Sequence, residues 1–92
     1  MILLELKQTT QFKKDLKRIK KRGLPISEID AVIQSLRKRE PLAPKYRDHE
    51  LIGNYAGFRE CHIQPDWLLI YAINGDNLIL TASRTGSHSD LF

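Results

Sequence analysis

Three histidines, His49, His62 and His88, stand in the second half of this chain, with Asp66 and Arg84 among them. Histidine, carboxylate and arginine are what cleavage of RNA by internal transesterification requires. A base takes the proton of a 2′-hydroxyl, an acid protonates the leaving 5′-oxygen, and a cation steadies the charge on the phosphorane. Imidazole suits both transfers because its ordinary pKa, about 6.5, lies near neutrality. Taken singly, these residues have plainer uses. A loop histidine is usually a solvated polar group, an aspartate after proline starts a turn, and an arginine pairs with a carboxylate. What favours the chemical use is that all three histidines fall in a loop, at a strand end and in a tail.

A metal site is the rival use. His62-x-x-x-Asp66 has a spacing seen in metal motifs, but Pro65 breaks the helix that would put both groups on one face. There is no Cys-x-x-Cys, no His-Glu-x-x-His and no glycine-rich phosphate loop. The expectation is therefore metal-independent chemistry with no cofactor. A metal-dependent hydrolase and a non-enzymatic RNA- or ribosome-binding module remain the alternatives.

Several elements must position these groups. Ile2 to Leu6 reads as a strand. Thr9 and Thr10 are N-cap residues for a helix in which Phe12, Leu16 and Ile19 recur at i, i+4 and i+7. Around that stripe stand Lys13, Lys14, Lys17, Arg18, Lys20, Lys21 and Arg22, and Gly23 ends the helix. The lysines form either a solvated face or a surface for a phosphate backbone, where each neutralised phosphate adds a salt-dependent contribution. Pro25 opens a second helix with its stripe at Ile26, Ile29, Val32, Ile33 and Leu36. The turn between the helices is short, so they fold as an antiparallel hairpin. Glu40 to Tyr55 reads as a long surface loop, and loops of that length usually carry function. Gly57–Ile63, Trp67–Ile73 and Leu78–Arg84 read as hairpin-linked strands, with Trp67–Ile73 buried and central and a polar tail after Arg84. His62 and Asp66 then flank one hairpin turn. The order β-α-α-β-β-β predicts an α+β fold: an antiparallel sheet with the helix hairpin on one face and the other face free for substrate or partner.

At 92 residues and 41% hydrophobic content the chain makes one domain, residues 1–92. A net charge of +4 favours an anionic partner, nucleic acid among them. Cys61 is the single cysteine and reads as a small core residue, compatible with a reducing cytoplasm. Glu5 cuts short the apolar start, so no signal peptide is expected. The longest apolar run, Trp67 to Ile73, is too short to span a bilayer.

Four stretches carry a resemblance: Asp48-His49-Glu50-Leu51; Gly53 with Gly57-Phe58-Arg59; Cys61-His62-Ile63-Gln64-Pro65-Asp66-Trp67; and Arg84-Thr85-Gly86-Ser87-His88-Ser89-Asp90-Leu91-Phe92. Together with the basic helix hairpin, they make the whole chain resemble the YafQ branch of the RelE/ParE toxin superfamily. The resemblance implies a RelE-like fold and a ribosome-dependent mRNA endonuclease acting in the ribosomal A site. It implies as partners mRNA, the ribosome with its 16S rRNA, and a small acidic DinJ-like antitoxin, with operator DNA met only through the antitoxin complex. It makes His49, His62, Asp66 and His88 the catalytic group and gives the scissile phosphate to Arg84. Trp67 and Phe92 would position mRNA bases. The charge of the basic helix, apart from the resemblance, makes Lys14, Lys17, Lys20 and Lys21 the expected contact with ribosomal RNA. Tyr55 stands where the family often has tryptophan. Some members of the superfamily attack gyrase instead, and the histidine set argues against that here.

Overall fold

The computed structural model describes residues 2–92. The chain runs β1 (Glu5–Gln8), α1 (Thr10–Lys21), α2 (Ile26–Arg37), β2 (His49–Glu50), β3 (Arg59–Gln64), β4 (Trp67–Asn74), β5 (Ile79–Gly86) and α3 (His88–Leu91), with 3-10 turns at Pro44–Tyr46 and Gly53–Tyr55. Among the described residues the strands form one sheet in the order β1-β5-β4-β3-β2.

The helix hairpin forms where its residues require it. The Thr9 hydroxyl accepts the Phe12 N–H at 3.0 Å and starts α1. Gly23, at φ +78°, stops it: the Gly23 and Leu24 N–H groups return to the carbonyls of Lys20 and Ile19 at 3.0 and 3.3 Å. Pro25 stands at the N-cap position of α2, just outside its first turn, with no side-chain capping bond. Arg39 ends α2 in the left-handed region, φ 59°, where glycine would be at ease.

The two faces of β4 explain its unbroken apolar run. Trp67, Leu69 and Tyr71 pack against Phe12, Ile19, Ile29 and Val32 of the helices, while Leu68 and Ile70 point to the opposite face. The element pattern predicted a free second face, and the structure covers part of it with Leu51, Tyr55, Phe58 and Leu91 of α3. The tail expected to be polar thus contains a short helix, because Leu91 has apolar surface to bury on the sheet.

The hairpin-linked strands are antiparallel as expected, but β1 joins β5 in parallel, so the sheet is mixed. Its pairing begins at Glu5↔Ile79, which moves the strand towards Gln8 from the expected Ile2–Leu6. Leu4 is fully buried, and its N–H is held by the Arg37 carbonyl at 2.9 Å, while Ile2 and Leu3 stay exposed. β1 pairs only as far as Ala82, so β5 beyond that point has an open edge. Register shifts at His62/Gln64 on β3 and opposite Ile70/Tyr71 on β5 leave Ile63 and Ser83 as extra residues, both beside the histidines and Arg84.

Candidate active site

Register decides which side chains meet. His49 of β2 lies opposite Glu60 of β3, Glu60 opposite Ile70, His62 opposite Leu68, and Arg84 of β5 opposite Ile70. Residues opposite one another share a face, so His49, Glu60, His62 and Arg84 all belong to the face away from the helix hairpin. His88, the first residue of α3, is added on that side. The imidazoles form a row: ring centroids are 6.5 Å apart from His49 to His62 and 5.7 Å from His62 to His88.

Each ring is oriented differently. His49 Nδ1 lies 2.6 Å from the Arg47 carbonyl oxygen, which can only accept, so Nδ1 carries the proton and the Nε2 lone pair is left available. His62 Nδ1 faces the Pro65 carbonyl at 3.2 Å, and its Nε2 lies 3.4 Å from Glu60 Oε1. A ring set between two oxygens can donate to both only when doubly protonated. His88 Nδ1 lies 2.7 Å from Asp66 Oδ1, and the His88 backbone N–H donates to the same oxygen at 3.0 Å. These two bonds, the backbone one foremost, hold the Asp66 carboxyl below the usual carboxylate range. Asp66 therefore fixes the ring of His88, while His62 on the other side of the turn faces the Pro65 carbonyl and Glu60.

α3 has only four residues and depends on outside support. The Ser87 hydroxyl accepts the Asp90 N–H at 3.2 Å, and the Asp90 carboxylate accepts the Ser87 N–H at 2.9 Å, a reciprocal cap. The same carboxylate takes a two-point hydrogen bond from Arg22 of α1, at 2.6 and 2.9 Å, with Arg18 at 3.8 Å. Arg22 and the Ser87 N–H hold the Asp90 carboxyl far below its ordinary value. Gly86 precedes the cap at φ +156°, and a Cβ there would stand 2.9 Å from Asp90 Cβ, so only glycine fits.

Arg84 is anchored from the other side of the sheet. Its Nε and Nη2 donate to the Asp15 carboxylate of α1 at 2.7 and 3.3 Å. Gln11 Nε2 and the Thr85 N–H, which lies on the open edge of β5, donate to the same group at 3.0 and 3.2 Å. Burial pushes the Asp15 carboxyl up, but the bonds from Arg84, Gln11 and Thr85 outweigh it and leave it below the ordinary value. The carboxylate partner weighed for Arg84 from sequence is thus present, and it fixes the guanidinium at the edge of the histidine face with the side chain 24% exposed.

Trp67 departs from its expected role. It is 1% exposed, sits on the helix side of β4, and its Nε1 donates to the Thr85 hydroxyl at 2.9 Å. Strand alternation turns it into the core, where it cannot stack on a base. Phe92 is exposed and meets Tyr55 edge-on, ring centroids 5.7 Å apart. Lys14, Lys17, Lys20 and Lys21 are exposed on α1. Sequence reasoning missed three acids. Asp15 falls at i+3 inside the Phe12, Leu16, Ile19 stripe, a charge on an apolar face. Glu60 is two residues before His62 on a strand and therefore shares its face. Ser87-x-x-Asp90 has capping-box spacing.

Glu60, His62 and His88 also form a donor set that could hold a metal ion, each offering one ligand atom and all within 4.8 Å of one another. Asp66, the residue suggested by the His-x-x-x-Asp spacing, is not part of that set. Among the described residues, no helix is long and apolar enough to cross a membrane.

A sheet covered by a helix hairpin, with a histidine row on its far face, matches a class of bacterial proteins. The family model for YafQ, described as a bacterial toxin of type II toxin–antitoxin systems, matches residues 4–92. The mRNA interferase toxin YafQ of Escherichia coli K12 is 34% identical over 93 residues, covering 100% of this chain and 99% of that protein. The chain belongs to the YafQ family of type II toxins. Among solved structures, a metal-bound toxin from Helicobacter pylori superposes with a TM-score of 0.92 at 43% identity, over 98% of this chain and 100% of that one. YafQ in the E. coli DinJ–YafQ toxin–antitoxin complex superposes with a TM-score of 0.89 at 34% identity, over 99% of each chain.

Proposed function

We propose that this chain is an mRNA endoribonuclease that cuts by metal-independent attack of a 2′-hydroxyl on the adjacent phosphate, acting on mRNA held in the ribosomal A site. Its family and the mRNA interferase relative support the endonuclease class. The observation that carries the chemical route is the row His49, His62, His88, with His88 fixed by Asp66.

The hydrogen bonds support one division of roles. His49, with its Nε2 lone pair available, takes the proton of the 2′-hydroxyl. The 2′-oxygen then bonds to phosphorus. Arg84, held by Asp15, brings positive charge to the phosphorane, and His62 stands in the row between the other two rings. His88 Nε2 gives its proton to the leaving 5′-oxygen as the P–O5′ bond breaks, with Asp66 holding the ring at Nδ1. Asp66 is thus a positioning partner of His88, not a base. The products are a 2′,3′-cyclic phosphate and a 5′-hydroxyl. Groups this close share protons, so the pH–rate profile belongs to the row as a whole.

The ribosome supplies what a site built on a two-residue strand and a four-residue helix lacks: RNA already bent and held. The exposed lysines of α1 meet ribosomal RNA by charge. A small acidic antitoxin neutralises the toxin, a reading supported by the DinJ–YafQ complex. Expression in bacteria followed by primer extension tests the whole reading. Wild type should cut translated mRNA in register with the reading frame and naked RNA far more slowly. Folded His88→Ala should lose roughly 100-fold or more in rate, and near-wild-type cutting by that variant would overturn the assignment.

A second reading has one observation behind it. The Glu60, His62, His88 donor set and the metal-bound H. pylori relative suit a metal-dependent route. On the acid–base route a metal there occupies His62 and His88 and inhibits. Cutting that survives EDTA and is lost on adding zinc supports the first reading; the reverse supports the second.

A further inference from the structure

At the end of β3, on the side of the helix hairpin, lies a cavity of about 720 Å³, bounded by α2 and the turn at Pro44–Tyr46, with His62 of the histidine row as one wall. Glu28, Lys45, Tyr46, Arg47, His62 and Gln64 are among its walls. We propose that this cavity is a subsite for one unpaired nucleobase next to the scissile phosphate, and that Gln64 and Glu28 set the base preference there. The proposal rests on the endonuclease reading above and adds to it where a flanking base goes.

Continuity with the row is the first argument. His62 is a wall of both. Arg47, another wall, orients His49 through its carbonyl, and Pro65, at the cavity's edge, orients His62 through its own. The segment between Arg47 and His49 is pinned to the sheet at Asp48, which accepts from Arg59 at 3.2 Å and from the Tyr71 hydroxyl. Cavity and row therefore share two stretches of chain, around Arg47–His49 and His62–Pro65. RNA whose phosphate lies at His62 has the cavity as its neighbour.

The chemistry of the walls is the second argument. Gln64 Nε2 donates to Glu28 Oε2 at 2.6 Å, which fixes the amide plane. One amide N–H and the carbonyl oxygen remain, a coplanar donor–acceptor pair of the kind that reads a base edge. The Tyr46 ring, half-buried, offers a stacking face, and unpaired RNA bases are gripped in this way. Lys45, whose Nζ lies 5.1 Å from the Tyr46 ring centroid, and Arg47 supply charge for the flanking phosphates. A volume of this size takes a nucleotide with water to spare. Glu28 sets the base preference. A carboxylate only accepts, so it welcomes the exocyclic amine of adenine, cytosine or guanine. Uracil lacks that amine and should be the disfavoured base.

The test uses the full chain on translated mRNAs randomised around one in-frame cut. Wild type should discriminate against uracil at one flanking position on the order of tenfold. Gln64→Ala should level that position alone, raising KM with little change in kcat, and Glu28→Gln should weaken the discrimination without disturbing the fold. An unchanged base profile in both variants overturns the proposal, as does a variant that keeps the profile but escapes antitoxin neutralisation, which would make the cavity an antitoxin seat. Titration with nucleoside monophosphates, followed by the NMR signals of the Gln64 amide and Tyr46 ring, needs no cleavage. Shifts with AMP, CMP and GMP that exceed those with UMP support the subsite; no shift sinks it. His88→Ala separates the two layers. It should abolish cutting and leave these shifts intact, so loss of the nuclease reading and loss of the subsite give different results.

Discussion

Replacing Asp15 by asparagine should unsettle the whole far face of the sheet from a residue that never reaches it. Asp15 is fully buried as a side chain, while its partner Arg84 is 24% exposed. Breaking a buried ion pair by removing one partner costs about 3–5 kcal/mol, because the other charge is left without compensation. Arg84 keeps some contact with water, so the lower end applies, about 3 kcal/mol, out of a total stability of roughly 5–15 kcal/mol. For a domain of this size that lowers Tm by roughly 12–24 °C. Circular dichroism melts measure it. The double variant Asp15→Leu/Arg84→Met separates the two roles of the pair. Apolar replacements of a buried pair are often neutral, so stability should return, while cleavage should not, since the phosphate has lost its cation. An Asp15→Asn protein melting within about 2 °C of wild type would refute the energetic argument, being under 1 kcal/mol. A double variant that regains cleavage would refute the role of Arg84.

The acid limb of stability should follow the same carboxylates. Asp15, Asp66 and Asp90 are all depressed in the folded chain, so their stabilisation is complete above the ordinary carboxylate value near 4 and is lost as pH falls through their lower folded values; melts from pH 7 downward should be level until about pH 4 and then drop. Asp90→Asn and Arg22→Gln should each slow cleavage up to roughly 100-fold by letting α3 drift, with the double variant no worse than either single one and Arg22→Lys partly restored; additive losses in a double-mutant cycle would deny the coupling. Arg39→Gly should raise stability by about 1 kcal/mol, since a non-glycine residue there sits at positive φ; an unchanged or lower urea midpoint would contradict that.

Much of this molecule is legible in the sequence because its signals are local. The Phe12, Leu16, Ile19 stripe, the Thr9 cap and the Gly23 stop define α1 from residues at most a few turns apart. The unbroken run of β4 announces a buried central strand, and Trp67 to Tyr71 are buried; the partial cover on the face away from the helices went against the expectation of a free one. What was not legible depends on distant partners. Whether β1 joins parallel or antiparallel depends on which edge of β5 it meets, and no local pattern records that. Trp67 shows the limit of reasoning by resemblance. Its position in the motif suggested a base platform, but strand alternation places it against the helices. The histidines were recognisable by type, whereas their separate orientations come from carbonyls and carboxylates that only the folded chain brings together. Asp15 was the readable signal that went unread, a lone acid on an apolar helix face whose partner lies 69 residues away.

The parallel pairing of β1 with β5 also bears on the order in which the chain assembles. The hydroxyl of Thr9 reaches the carbonyl of Ser83 across 74 residues of sequence. α1 and α2 have their apolar stripes ready early in synthesis, but the surface they cover belongs to strands made much later. Isolated helices of this length are marginal in water, so the hairpin has little to hold it until β4 and β5 exist. Pairings this distant slow folding and keep apolar surface in water meanwhile. A half-made chain is therefore chemically silent. The anchor of Arg84, the clamp on α3 and the row of imidazoles each need a residue of β5 or α3, so none of them exists before the last strand is made.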